Sequence, residues 1–235
     1  MTTTLITGAN KGLGYETARQ LVAAGHTVYI GARDPERGQK AAEQLGARFV
    51  EIDITDDASV TAAAKAIEAD GSLDVLANNA GIEERTPDGG FVAATDVTAD
   101  AVRKQFETNV FGVVRVIHAF LPLLEQSAAP VVVYVSSGLS LTRDLANLAS
   151  PSHFYPGIAY PASKAALNMI TVQYAKALPG IRINAVDPGF TATDLNYNTG
   201  TQTVEEGATV IVRMAQIDQD GPTGGFFDAN GPVTW

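Results

Sequence analysis

Thr3-Thr4-Leu5-Ile6-Thr7-Gly8-Ala9-Asn10-Lys11-Gly12-Leu13-Gly14 is the stretch that decides the fold. Thr3 to Thr7 reads as a short apolar strand, and it runs directly into glycines at 8, 12 and 14. Tyr15 to Ala24 then carries apolar residues at helical spacing and stops at Gly25. Strand, glycine turn and helix in that order open a parallel βαβ unit. Gly8 permits a tight turn, Gly12 lets backbone approach a diphosphate, and Gly14 lets the helix lie close on the sheet. Free N–H groups and the helix dipole favour phosphate at such a turn. The spacing is Gly-x3-Gly-x-Gly rather than Gly-x-Gly-x2-Gly, and a purely structural glycine turn is the competing reading.

Downstream the alternation continues. Strands are predicted at Thr27–Gly31, Arg48–Ile52, Asp74–Ala77, Pro130–Ser136, Ile181–Val186 and Gly225–Asp228. Helices are predicted at Pro35–Leu45, Asp56–Ala69, Thr98–Gln126, from Tyr160 to about Leu178, and at Val204–Ile217. Pro130–Ser136 is almost wholly apolar, as expected of a strand covered on both faces. This pattern predicts an α/β fold, a doubly wound parallel sheet (Rossmann fold) with right-handed crossovers, as a single domain over residues 1–235. The ligand crevice belongs beyond the carboxyl ends of the strands, where the chain order reverses.

Composition narrows the function classes. The chain has 235 residues, a net charge of −10 and 46% hydrophobic residues, enough for one large core. That charge argues against nucleic acid or an anionic membrane as partner. The longest membrane-span candidate, Phe111 to Leu124, is interrupted by Arg115 and His118 and reads as a buried helix. The N-terminus enters a strand at once, so no signal peptide is expected and cytoplasmic is the default location. Cysteine is absent, which removes disulfides, thiolate zinc and thiol nucleophiles. His26, His118 and His153 are scattered, so no metal site is expected.

Tyr160-Pro161-Ala162-Ser163-Lys164 places a phenol and an ammonium one turn apart on a helix. Pro161 is tolerated only near a helix start, so the pair faces whatever lies beyond the N-terminus. A cation within about 4–6 Å favours the phenolate and makes tyrosine a plausible proton donor or acceptor. A solvated surface pair is the ordinary alternative.

Taken with Asn78-Asn79-Ala80-Gly81, Thr108-Asn109-Val110-Phe111-Gly112, Ser136-Ser137 and Pro188-Gly189, in that chain order, these motifs resemble the short-chain dehydrogenase/reductase family. The resemblance covers nearly the whole chain. Asn10-Lys11 and Gly31-Ala32-Arg33-Asp34 look most like its carbonyl-reductase branch. It implies an oxidoreductase that reduces a ketone or aldehyde with NADPH, and a catalytic set of Asn109, Ser137, Tyr160 and Lys164. Tyr160 would protonate the carbonyl oxygen. Lys164 would lower the tyrosine's pKa and hold the nicotinamide ribose. Ser137 would orient the substrate oxygen, and Asn109 would kink its helix and support a proton-relaying water. Ser136 and Ser137 face opposite ways, so only one can enter the cleft, and family members use the second.

By the same resemblance the cofactor is held by Gly8, Asn10, Lys11, Gly12, Leu13 and Gly14, with Asp53 and Ile54 at the adenine and Asn79, Ala80 and Gly81 at its ribose. Tyr160, Lys164, Pro188, Gly189, Thr191 and Thr193 complete it at the nicotinamide end. Enzymes that bind NAD place an acid after the second strand; here Gly31 and Ala32 stand there, with Arg33 next and Lys11 in the glycine loop. Two cations suit the 2′-phosphate of NADP(H), although Asp34 could still reach a ribose. Ser137 and Tyr160 are 23 residues apart, longer than in most relatives, so the 138–159 segment is an insertion. Leu141, His153, Phe154 and Tyr155 could shape a pocket there, or the segment could obstruct the helix pairing through which relatives form homo-oligomers. His153 reads as a loop residue rather than a base. A non-catalytic NAD(P)-binding redox sensor or scaffold is the alternative function; a sugar-nucleotide epimerase fits less well.

Overall fold

Residues 2–86 and 89–235 are described by a computed structural model, and they share one sheet. Its strands are β1 (Thr3–Thr7), β2 (Thr27–Ala32), β3 (Arg48–Glu51), β4 (Val75–Asn78), β5 (Val131–Val135), β6 (Arg182–Val186), β7 (Phe226–Asp228) and β8 (Gly231–Val233). Their spatial order is β3-β2-β1-β4-β5-β6-β7-β8, parallel except for the β7–β8 hairpin at the edge. The order reverses between β1 and β4, which opens a crevice above their carboxyl ends.

The helices are α1 (Gly12–Ala23), α2 (Pro35–Leu45), α3 (Asp57–Glu68), α4 (Ala99–Phe106), α5 (Val113–Leu124), α6 (Thr142–Leu145), α7 (Ala159–Ala177) and α8 (Val204–Ala215). Strand alternation divides the core in two. Leu5, Val132 and Tyr134 pack toward α3, α5 and α7; Ile6, Val131 and Val133 pack toward α1 and α8. With both faces covered, β5 is buried at every residue.

Helix starts differ according to where they point. Asp34, Asp56 and Thr98 accept from first-turn amides of α2, α3 and α4, and Thr203 with Glu206 forms a capping box on α8. The N-termini of α1 and α7 have no side-chain cap. Both open onto the crevice.

Two elements depart from the periodicity. Glu107–Gly112, between α4 and α5, is a π-helical stretch with Asn109 inside it. The run 99–124 is long and apolar enough to cross a membrane by length and composition, but half of its apolar window is buried in the protein. Its Arg115 is paired with Asp57 and Glu107. It is a core helix. The inserted 138–159 segment folds as short helical turns at Gly138–Ser140, Thr142–Leu145 and Pro151–Phe154.

Candidate active site

The glycine loop is shaped by backbone demands. Gly8 and Gly12 have φ of 66° and 58°, the left-handed region that favours glycine. A Cβ on Gly14 would stand 2.6 Å from the Gly8 carbonyl oxygen and 2.5 Å from Asn79 Nδ2, so the helix can approach only without one. Asn79 braces the loop from β4: its Nδ2 donates to the carbonyls of Thr7 and Gly8 at 2.9 and 3.1 Å. The Thr7 hydroxyl accepts from the amides of Asn79 and Ala80, both at 3.1 Å. Thr7 thus joins the two loops flanking the switch point, a role invisible from its place at the end of a strand. With the α1 amides lacking a side-chain cap and the loop held open by glycine, these residues fit the diphosphate of a dinucleotide.

Beyond β2, Asp34 accepts from the Arg37 amide at 3.0 Å and pairs with the Arg37 guanidinium, so its carboxylate is held on the helix it caps. Arg33 is exposed. Burial pushes the Asp53 carboxyl up, but the Thr55 amide and hydroxyl, then the charges of Arg33 and Arg115, hold it below the ordinary range. The Ile54 side chain turns inward, buried in the core against Gly112. Lys11 is engaged: its Nζ donates to Asp194 Oδ2 at 2.7 Å, across from the glycine loop. Arg37 also acts on Asp194, which makes a third cation in this corner that the motif did not single out.

At the other end, α7 presents Tyr160 and Lys164. Lys164 is buried, and its Nζ donates to the Val135 carbonyl at 2.7 Å and lies 5.6 Å from the Tyr160 ring centre. Burial lowers the Lys164 pKa to about 8, with the Asp187 charge opposing. Tyr160 moves the other way. Burial, then the charges of Glu83 and Asp187, push it above the usual phenol range; Ser137 beside it and Arg85 pull down. The expectation is that Lys164 brings Tyr160 toward neutrality; here burial and two carboxylates hold the phenol above its usual range, and the downward pull comes from Ser137 and Arg85.

The two serines separate as alternation demands. Ser136 is buried and its hydroxyl donates to Asn168 Oδ1 at 2.6 Å, whereas Ser137 stands beside the Tyr160 phenol. Asn168 Nδ2 in turn donates to Ser140 Oγ, and that hydroxyl to the Ser137 carbonyl, each at 2.6 Å. Asn109 uses its whole amide: Nδ2 donates to Ile82 O at 2.9 Å and Ser163 Oγ at 3.1 Å, and Oδ1 accepts from Ile82 N at 2.9 Å. A Cβ on Gly81 would lie 3.4 Å from Asn109 Oδ1 and 3.6 Å from Lys164 Nζ, so Gly81, Asn109 and Lys164 form one cluster.

The loop after β6 is also built from within. Thr191 directs its hydroxyl to the carbonyls of Pro188 and Gly189 and accepts from Gln202 Nε2, so it holds the turn rather than facing the crevice. Thr193 does face it, with its methyl 3.6 Å from where a Gly12 Cβ would stand. In the insertion, Leu141 is buried in the core, not in a pocket. His153 Nδ1 bonds the Leu145 carbonyl at 2.8 Å, and Phe154 is 76% exposed. Tyr155 donates to Glu83 Oε1 at 2.5 Å, and Glu83 pairs with Arg85 at 2.9 Å beneath the Phe91 ring. This network ties the insertion to the loop after β4. Sequence reading named Tyr155 but had no means of pairing it with a residue 72 positions away. Among the described residues no cluster of metal-ligating side chains is present.

Comparison with known proteins agrees with this geometry. The family model described as short chain dehydrogenase matches residues 2–204. The chain is 32% identical to (+)-neomenthol dehydrogenase of Capsicum annuum, covering 95% of this chain and 94% of the relative. It is 31% identical to salutaridine reductase of Papaver bracteatum, covering 96% and 94%. Among solved structures, NADPH-bound carbonyl reductase from chicken fatty liver superposes with a TM-score of 0.87 at 26% identity, covering 100% of this chain and 99% of that one.

Proposed function

The chain belongs to the short-chain dehydrogenase family, and from that premise we propose that it is an NADPH-dependent carbonyl reductase with Tyr160 as proton donor. Membership makes it an oxidoreductase that uses a nicotinamide nucleotide. The observation that carries the finer reading is the meeting of Tyr160, Ser137 and Lys164 at the carboxyl end of β5.

When bound, the nicotinamide supplies a hydride to the carbonyl carbon. The chain's own part is the oxygen, where negative charge develops and fixed donors act most strongly. Ser137 offers its hydroxyl to that oxygen, and Tyr160 transfers the phenolic proton. Because burial and two carboxylates hold the phenol above its ordinary range, it is fully protonated at neutral pH, the state that reduction requires. The opposite direction needs a phenolate, which the same environment disfavours. Lys164 uses one ammonium hydrogen on Val135 and keeps two for a ribose hydroxyl. Asn109 holds Ile82 and Ser163, and so keeps Gly81 against the lysine.

NADP(H) is favoured over NAD(H) by the corner beyond β2. Asp34 is held by its helix cap and by Arg37, Lys11 is paired with Asp194, and Arg33 is exposed, so three cations stand against two carboxylates there. The carbonyl reductase from chicken fatty liver, whose fold this chain shares, was solved with NADPH bound. Kinship with a neomenthol dehydrogenase and a salutaridine reductase supports a small and fairly apolar carbonyl substrate.

The test is loss of NADPH absorbance with a panel of ketones and aldehydes. Tyr160→Phe is expected to lower kcat by about 10²–10⁴-fold; full turnover in that variant would end the proposal. Nucleotide binding without turnover across the panel would favour a redox sensor or scaffold instead.

A further inference from the structure

Asp187 is a carboxylate at the centre of the site that the chemistry above leaves unused. It directly follows β6, and its amide donates to the Phe227 carbonyl at 2.8 Å, which fixes its backbone in the sheet. Its Oδ1 accepts from the Gly189 amide at 3.0 Å. Its Oδ2 lies 2.7 Å from where a Cβ on residue 138 would stand. Burial holds the carboxyl above its ordinary range, and the Gly189 and Gly138 amides that face it oppose this by favouring the ionised form. One side chain therefore holds two turns. The first carries Ser137, beside Tyr160; the second is Pro188–Gly189, across the crevice.

Both turns carry other bonds, Ser140 and Leu141 amides to the Ser137 and Gly138 carbonyls and the Thr191 amide to the Gly189 carbonyl, but none of these takes up the Gly138 or Gly189 amide. Gly189 has φ of 75°, and a Cβ at position 138 would press on the Asp187 carboxylate. The Ser136–Asn168–Ser140 chain also supports the serine turn, and it ends on the Ser137 carbonyl rather than on the Gly138 amide. We propose that Asp187 is the positioning residue of this site: by engaging the Gly138 and Gly189 amides together, it sets the Ser137 hydroxyl against Tyr160 and fixes the opposite turn. The proposal rests on the reductase reading for its kinetic consequences, though the tie between the turns stands apart from it.

The charge has a second effect. Lys164 and Tyr160 face Asp187 from α7, and Asp228 faces it from β7; Glu83 and Arg85 reach Tyr160 from the loop after β4. Asp187 raises the pKa of both Lys164 and Tyr160. Removing its charge lowers both, so the alkaline limb of the activity profile moves to lower pH.

The experiment compares wild type with Asp187→Asn and Asp187→Ser, each first checked by urea unfolding. Amide hydrogen exchange at Gly138 and Gly189, NADP dissociation constants by calorimetry, and kcat and KM across pH are then measured. Asp187→Asn is expected to speed exchange at both glycines and to lower kcat about tenfold to a hundredfold with a smaller change in carbonyl KM. Its alkaline limb shifts down. Unchanged kcat and pH profile in a folded Asp187→Asn protein would overturn the proposal and leave Asp187 an ordinary turn acceptor. Should wild type show no turnover with any carbonyl, the reductase reading fails and exchange decides: protection lost at both glycines supports the tie, and protection lost at one or neither overturns it.

Discussion

Tyr160 and Lys164 sit in the same buried space, and burial drives them in opposite directions. A phenol is neutral when protonated, so desolvation raises it; an ammonium is charged when protonated, so desolvation lowers it. The order of titration follows. As pH rises from neutrality, Lys164, at about 8, loses its proton well before Tyr160. The alkaline limb of kcat/KM for the nucleotide, which reports the free enzyme, is expected near pH 8. Lys164→Arg should move that limb out of range even where it lowers the plateau; a limb that stays put would assign it to another group. Stability carries the same signature. An unfolded lysine titrates at about 10.4. Between pH 8 and that value the unfolded chain holds a proton that native Lys164 has released. Lys164 therefore contributes an increase in stability with pH across this window. Tyr160 contributes the reverse above about 10, where the unfolded phenol ionises first. Urea midpoints of wild type and Lys164→Met across pH 7 to 10 check the sign: the wild-type curve gains on the variant as pH rises.

The π-helical stretch shows what a side chain does to an element. Asn109 draws Ile82 and Ser163 onto one amide, and the helix accommodates it with a wider turn. Asn109→Ala strands the half-buried Ile82 amide, while Gln105 Nε2 still serves the Ile82 carbonyl, at a cost of about 1–3 kcal/mol. The expected result is a lower urea midpoint with unchanged slope, together with reduced turnover because Gly81 is released from Lys164. Unaltered turnover would remove Asn109 from the site. Gly14→Ala acts through backbone instead. Its Cβ meets the Gly8 carbonyl at 2.6 Å, so α1 must lift from the sheet, and nucleotide binding should be lost by calorimetry before the fold is. The alternation of strand and helix was legible because a sheet covered on both faces writes itself as short apolar runs between glycine and polar stops. The π stretch was not, since it depends on contacts between Asn109 and residues 27 and 54 positions away. Nor was β8, three residues containing a proline at an edge. The start of α1 at Gly12 rather than Tyr15 was hidden by glycine's poor helix propensity.

At the scale of the whole molecule, the glycine loop, residues 79–81, Ser136 with Ser137, and Pro188 with Gly189 each follow a strand, and the sheet order gathers them at one rim. Asn109 and the pair of Tyr160 and Lys164 reach it from helices. Partners contributed by distant segments stayed hidden: Thr7 with Asn79, Glu83 with Tyr155, Lys11 with Asp194. The last pair bears on how an acidic chain attracts an anionic nucleotide. With 26 Asp and Glu against 16 Lys and Arg, the overall field would repel NADPH, while Lys11, Arg33 and Arg37 would attract it locally under the proposed cofactor choice. Salt separates the two. Raising ionic strength from about 0.01 M to about 0.1 M shortens the screening length from about 30 to about 10 Å. If the long-range field ruled, KM for NADPH would fall with salt. The local cations act within a few ångströms of the 2′-phosphate, and we expect KM for NADPH to rise with salt while that for NADH changes little. Asp194→Asn frees the Lys11 ammonium from its 2.7 Å partner, so it should strengthen NADPH binding relative to NADH at low salt. Lys11→Ala together with Arg33→Ala should bring the two nucleotides to near parity. An NADPH preference that survived that double variant would place the 2′-phosphate elsewhere and leave these cations as solvated surface charges.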